Sequence, residues 1–348
     1  MLDLGLIDDF PANELELEER LSRPPVQLIE MMSRLRGDFL FLGAGGKMGP
    51  SMARMARRAT DAAGVQRRIV AVSRYQNSAD RDGLEKHGIE TFGVDLLKPG
   101  ALEALPDAEN IIYLAGMKFG STGQEPLTWA MNSLLPGLVC RRYPRSRMVA
   151  FSTGNIYGMV PVSGSGSLET DPPNPVGEYA QSCLGRERIF QYASLSEGTR
   201  VAIIRLNYAC DLRYGVMVDI ASRVLAGEPV DITVNAFNII WQADANALSL
   251  LCLELASSPP FIGNLSGLDK ISVSDLAQYY GRAYNHEILL KNEDSGFALL
   301  TDARALLNLL SYKPMKNEIL KRWVAEWIFR GGQTLRKPTG FEKLDGRF

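Results

Sequence analysis

The sequence predicts an α/β protein: a doubly wound parallel sheet with a smaller mixed lobe towards the C-terminus. Three features carry this expectation. Short apolar runs alternate with helical stretches from Asp38 to Arg205, a glycine-rich turn joins the first run to the first helix, and the alternation loosens beyond residue 207. Strands buried on both faces read as continuous apolar runs, and the helices between them cover the sheet. Right-handed crossovers then give the doubly wound arrangement.

Residues 1–37 read as an acidic and then amphipathic helical extension. Helices are expected over 14–21 and 26–35, separated by Pro24-Pro25, and packed on the outside of the main domain. Residues 38–206 form that domain. Strands are expected at 39–42, 68–73, 90–94, 110–115, 147–152 and 200–205. Helices are expected at 50–63, 80–87, 126–142 and 178–194, with a helical fragment at 102–105. Residues 207–348 form mostly the smaller lobe, with segments returning to the main domain. Its helical stretches fall at 219–226, 239–256 and 273–284, and the polar tail from Lys337 is expected to be mobile.

The chain has 348 residues, 46% hydrophobic and 22% charged, with a formal net charge of −2, which suits a globular enzyme-sized protein. That charge leaves no electrostatic footprint for nucleic acid, and no apolar run is long enough to cross a bilayer. Asp3, Asp8 and Asp9 stand where a secretion signal would need a basic flank. Cys140, Cys183, Cys210 and Cys252 are widely spaced, and His87 and His286 lie near none of them. Neither a disulfide framework, a zinc site nor a catalytic metal is expected, and reduced thiols suit the cytoplasm.

The run Gly43-Ala-Gly45-Gly46-Lys47-Met48-Gly49 follows an expected strand and opens an expected helix. In that setting the first glycine permits the tight turn, the middle ones admit a pyrophosphate and the last allows close helix–strand packing. Free amides and the positive helix end favour the anion. The second strand ends in Ser73-Arg74. A carboxylate there would accept from the adenine-ribose hydroxyls of NAD, whereas a hydroxyl and a guanidinium suit a 2′-phosphate. NADP is therefore favoured over NAD.

With these motifs in order, residues 38–330 resemble the extended short-chain dehydrogenase/reductase family of nucleotide-sugar epimerases and dehydratases, whose fold is the Rossmann type. Asp95-Leu96 is similar to the pair that meets the adenine ring. Tyr113-Leu-Ala115-Gly116-Met-Lys118 is similar to the fourth-strand segment of the family's epimerases, lysine included. Asn132 matches a recurrent asparagine. Phe151-Ser-Thr153-Gly-Asn155-Ile-Tyr-Gly158 places Thr153 at the catalytic hydroxyl position. The resemblance also implies a homodimer through the helices at 126–142 and 178–194.

The resemblance puts the catalytic tyrosine at Tyr179, where the family has a lysine four residues on, one turn away on the same helix face. That ammonium lowers the tyrosine pKa and holds the nicotinamide ribose. Cys183 stands in its place, and a neutral thiol supplies no charge. Three readings stay open: Lys118 or Arg186 replaces the cation, Tyr179 acts as a neutral acid, or the chain binds dinucleotide without catalysis. Cys183 itself, in a helix interior with no histidine partner, suits packing better than attack.

Family members acting on nucleotide sugars hold the diphosphate with two arginines of the C-terminal lobe. The corresponding positions here offer Phe237 and the arginine-free run Asn292–Gly296. An unpaired diphosphate in a closed cleft is costly. A small sugar-like or hydroxy-acid substrate is expected instead, contacted by Asn155, Asn207, Trp241 and Gln242. The expected chemistry is hydride transfer, either as net oxidoreduction or within one epimerase or dehydratase turnover.

Overall fold

A computed structural model describes residues 9–118 and 120–346, so Asp3 and Asp8 lie outside the described residues. Two helices come first, α1 (Glu14–Leu21) and α2 (Val26–Arg34). Strand β1 (Phe39–Leu42) follows, every residue of it buried. It leads through the glycine turn into α3 (Gly49–Ala62), whose Pro50 sits in the first turn, where its missing N–H costs nothing. Then come β2 (Ile69–Ser73), α4 (Ser78–Glu85), β3 (Glu90–Gly93) and β4 (Asn110–Tyr113).

The expected fragment at 102–105 is a succession of turns. Pro99-Gly100 and Pro106 leave too few residues to nucleate a helix, although Leu102 and Leu105 are buried. The expected helix at 126–142 is broken. It runs as α5 (Glu125–Trp129), one π-turn (Ala130–Leu134) and α6 (Leu135–Arg142). Strand β5 (Arg147–Thr153) and the long helix α7 (Gly177–Glu197) follow, the latter ending at Gly198 with φ +74°.

Strands Arg200–Leu206 and Phe261–Leu265 complete a seven-stranded sheet. From one edge, the order is Phe261–Leu265, Arg200–Leu206, β5, β4, β1, β2, β3. Every pairing is parallel, with β1 in register against both β2 and β4. The seventh strand comes from the C-terminal part of the chain and adds to the edge beyond the six expected ones.

The remaining helices are α8 (Val216–Leu225), α9 (Gln242–Leu251), α10 (Val273–Tyr284), α11 (Arg304–Leu309) and α12 (Asn317–Phe329). The expected helix at 239–256 starts only at Gln242, because Ile240–Trp241 pairs in parallel with Ala209–Cys210. One apolar cluster unites α8, α10 and α12 into the smaller lobe.

The leader does more than coat the main domain. Leu28, Met31 and Met32 join the core beside the sheet, whereas Leu17 and Leu21 belong to the lobe core. The tail is likewise docked rather than loose. Phe341 is buried with its ring centre 6.3 Å from that of Phe237, and Thr339 donates twice to Asp219. Among the described residues, no helix is long and apolar enough to cross a membrane. All four cysteines are free and buried.

Candidate active site

Chain order reverses between β1 and β4, the place where a doubly wound sheet leaves a crevice beyond its strand ends. A cleft of about 250 Å³ lies there. The glycine turn forms one wall, the segments after β4 and β5 the floor, and residues 206–214 the wall on the lobe side.

The glycines have distinct reasons. Gly43 has φ +89°, and a side chain there would stand 2.5 Å from the Ala115 nitrogen. At Gly49 it would strike the Ala44 carbonyl oxygen at 2.3 Å, parting helix from strand. At Gly46 the nearest atom is 3.6 Å away, so its outer face is open to a ligand. Helix α3 begins there with no side-chain cap and no acidic residue in its first turn. Open amides at a helix start suit a diphosphate, so the turn fits a dinucleotide.

Ser73 ends β2 beside this turn, close enough that a side chain at Gly45 would meet its hydroxyl at 2.3 Å. Arg74, next to it, is exposed. Asp95 follows β3, its carboxylate accepting from the Leu97 amide at 3.1 Å, while Leu96 packs into the core. Neither lines the cleft cavity.

The three candidate catalytic side chains meet. Tyr179 opens α7, Thr153 ends β5, and Lys118 follows β4. Thr153 and Cys183 both act on the Tyr179 hydroxyl, and the Lys118 ammonium stands 5.8 Å from the centre of the Tyr179 ring. Asn155 steadies Thr153, donating to its hydroxyl from the backbone at 3.2 Å and the side chain at 3.0 Å. Burial raises the Tyr179 pKa, the Cys183 thiol adds to this, and Arg186 only partly opposes it. Lys118 moves the other way. Burial pushes it down to about 8, with Lys47 adding to the shift and Cys183 opposing it.

Asn132 lies in the π-turn and is buried. Its oxygen accepts from the Met117 amide at 2.9 Å, and its NH2 donates to the Met117 carbonyl at 3.0 Å and to Ser182 Oγ at 2.9 Å. It thus fixes the backbone just before Lys118 and ties it to α7. Arg186, the alternative cation, is buried behind this asparagine. It donates to the Phe151 carbonyl at 2.8 Å and to the Asn132 side chain. A side chain at Gly116 would collide with its guanidinium at 2.3 Å. Arg186 therefore braces the site and does not line the cleft.

Two expected substrate contacts are misplaced. Trp241 is buried edge-on against Trp323, and Gln242 is buried with its amide donating to Ser51 at 3.1 Å. Both face the interior from the start of α9. Asn207 does line the cleft, but its amide donates to Asn238 at 2.9 Å and to the Leu299 carbonyl at 3.2 Å. The sequence reading missed Tyr208 and Tyr214, which line the lobe side. Their position just beyond a strand end at the crevice was the available signal. Lys47 contributes more than its backbone: its ammonium donates to the Ala209 carbonyl at 2.5 Å and lies 4.2 Å from the Tyr214 ring centre.

Residues 39–210 match the model of the NAD dependent epimerase/dehydratase family. The chain also shares its fold with solved structures at low identity. UDP-glucuronic acid 4-epimerase from Bacillus cereus, in complex with NAD, superposes with a TM-score of 0.69 at 16% identity, covering 84% of this chain and 98% of that one. UDP-glucose 4-epimerase from Thermus thermophilus with NAD gives 0.66 at 21%, covering 84% and 99%. dTDP-glucose 4,6-dehydratase from Bacillus anthracis str. Ames with NAD gives 0.68 at 14%, covering 84% and 96%. No curated protein matches this chain in sequence.

Proposed function

We propose that the chain is an NAD(P)-dependent oxidoreductase of the extended short-chain type, acting by hydride transfer on a small sugar-like or hydroxy-acid substrate. The supporting observation is the Lys118 ammonium over the ring of Tyr179, whose hydroxyl feels Thr153. When bound, the nicotinamide supplies the hydride acceptor or donor at its C4.

The chain's own residues do the rest. Amides of Gly46, Lys47, Met48 and Gly49 hold the diphosphate over the turn shaped by Gly43 and Gly45. Ser73 and Arg74 take the adenine-ribose end beside Asp95 and Leu96. With no carboxylate at the end of β2, this pair favours NADP, although the similar structures hold NAD. Ala115, Gly116 and Asn132 shape the path to the nicotinamide ribose. Thr153 orients the substrate oxygen and Tyr179 hands its proton on while remaining neutral. Lys118, near 8, is the group whose pKa suits proton exchange at physiological pH.

A small substrate is supported by the lobe. Phe237 is buried and residues 292–295 are exposed away from the cleft, so neither offers a diphosphate clamp. Four free, buried cysteines fit a reducing cytoplasm.

Purified protein incubated with either coenzyme and a panel of sugars and hydroxy acids should change the reduced-nicotinamide absorbance with at least one compound. Tyr179→Phe should slow this by about a hundredfold or more. Calorimetry showing neither coenzyme bound would end the proposal. The family match over residues 39–210 favours one other reading, an epimerase or dehydratase that recycles its NAD. Coenzyme retained through purification, with turnover but no net absorbance change, would select it.

A further inference from the structure

We infer that the substrate carries a carboxylate, gripped between Lys47 and Lys118. This rests on the cleft being the reaction site and goes further by naming the charge of what enters it.

The two lysines reach one cleft from separate segments, the glycine turn and the stretch after β4. Among the described residues lining the cleft, none is acidic. Asp211, the carboxylate that acts on Lys47, is fully buried and paired with Arg213 at 3.1 Å. One of three donors on the Lys47 ammonium goes to the Ala209 carbonyl. The two half-buried ammoniums carry like charge beside one cavity, so an anion between them is attracted by both.

The geometry separates this anion from the coenzyme diphosphate. The diphosphate is served by the open Gly46 face and the uncapped start of α3. Lys118 instead stands over the Tyr179 ring, and Lys47 turns to Ala209 and Tyr214 on the lobe side. A carboxylate held there would sit beside the carbon whose hydroxyl meets Tyr179 and Thr153. That describes a hydroxy acid or sugar acid.

The test is calorimetry on coenzyme-loaded protein with matched probes: gluconate against sorbitol, glucuronate against glucose, and lactate against propane-1,2-diol. In at least one pair the acid should bind about tenfold tighter or more. Lys47→Met and Lys118→Met should each bring that ratio below about threefold, while coenzyme affinity stays within about twofold, which also shows that the variants fold. Equal binding of acid and neutral partner, or binding of neither, overturns the inference. So does a loss of coenzyme affinity in the variants as large as the loss of acid binding, which would assign the lysines to the diphosphate. UDP binding with the same lysine dependence, in place of the acids, overturns it too. Wild-type protein that binds no coenzyme sinks the underlying function instead.

Discussion

The Cys183 thiol, one helical turn further along α7, acts on the Tyr179 hydroxyl and helps raise its pKa. In the family this is the place of an ammonium, and its loss reverses the local electrostatics. Burial and the thiol raise the tyrosine pKa, and the helix's buried cation, Arg186, is held on Asn132 and Phe151 one turn later.

Restoring the lysine should therefore fail. Cys183→Lys would bury a second cation beside Arg186 and is expected to lower stability by about 3 kcal/mol in urea unfolding, without raising turnover. Cys183→Ala should cost about 1 kcal/mol and change turnover less than about threefold. A stable and faster Cys183→Lys variant would show that Arg186 can yield its place.

The strands were legible because each is a short apolar run buried on both faces, as Phe39–Leu42 illustrates. The glycine turn was legible because its constraints are local. What escaped depends on which neighbour a face meets. The pattern of α1 shows that Leu17 and Leu21 are inward but not that they enter the lobe core. Trp241 and Gln242 follow the cleft-lining stretch in sequence, yet pairing with Ala209–Cys210 turns them inward. The π-turn at Asn132 adds a residue per turn, and Pro136 just beyond it, unable to donate to the Asn132 carbonyl, was the available signal. The tail reads as polar, and its buried ring, Phe341, is recognisable as an anchor only against Phe237.

Lys118 sets a pH dependence with a definite sign. Its folded pKa, about 8, lies below the ordinary lysine value of 10.5, so the unfolded chain holds this proton more tightly between those values. The resulting loss of stability is fully present below about pH 8 and fades as pH rises towards 10.5. Lys118→Met should flatten this rise, measured as the difference between variant and wild-type urea midpoints at about pH 7 and about pH 9.5. Oxidation rates should climb through the same pKa if the neutral amine takes the proton. Identical profiles for both proteins would remove Lys118 from the titration.

Arg74 is exposed at the end of β2, where a 2′-phosphate would meet it. Arg74→Ala should weaken NADP binding about tenfold or more and alter NAD binding less than about twofold, read by calorimetry. Equal losses for both coenzymes would mean that the arginine covers the adenine rather than reading the phosphate.

The leader joins the two parts of the molecule. Glu18 pairs with Arg54 of α3 at 3.1 Å and with Arg213 of the lobe at 2.7 Å, while Asn246 of α9 donates to the Leu21 carbonyl at 3.1 Å. Leu21→Ala, at a fully buried site, should cost about 3 kcal/mol. Glu18→Gln should cost about 1 kcal/mol and loosen the Arg213–Tyr214 segment beside the cleft, raising KM more than it lowers kcat. A leader that merely coats the surface would leave KM unchanged in both variants.

Helices α6 and α7 pack together and leave apolar side chains outside: Leu134, closing the π-turn before α6, is 58% exposed, and Leu195, near the end of α7, is 68% exposed. Leu127, in α5 at the head of the same broken helix, and Tyr192 of α7 are exposed as well. Scattered exposed leucines are ordinary, but several on one pair of helices suit a second copy crossing them as a four-helix bundle. Light scattering at micromolar concentration should report a dimer, and Leu134→Glu should shift it to monomer with the coenzyme still bound. A monomeric wild type rules this arrangement out, whereas a dimer indifferent to Leu134→Glu places the interface on another face.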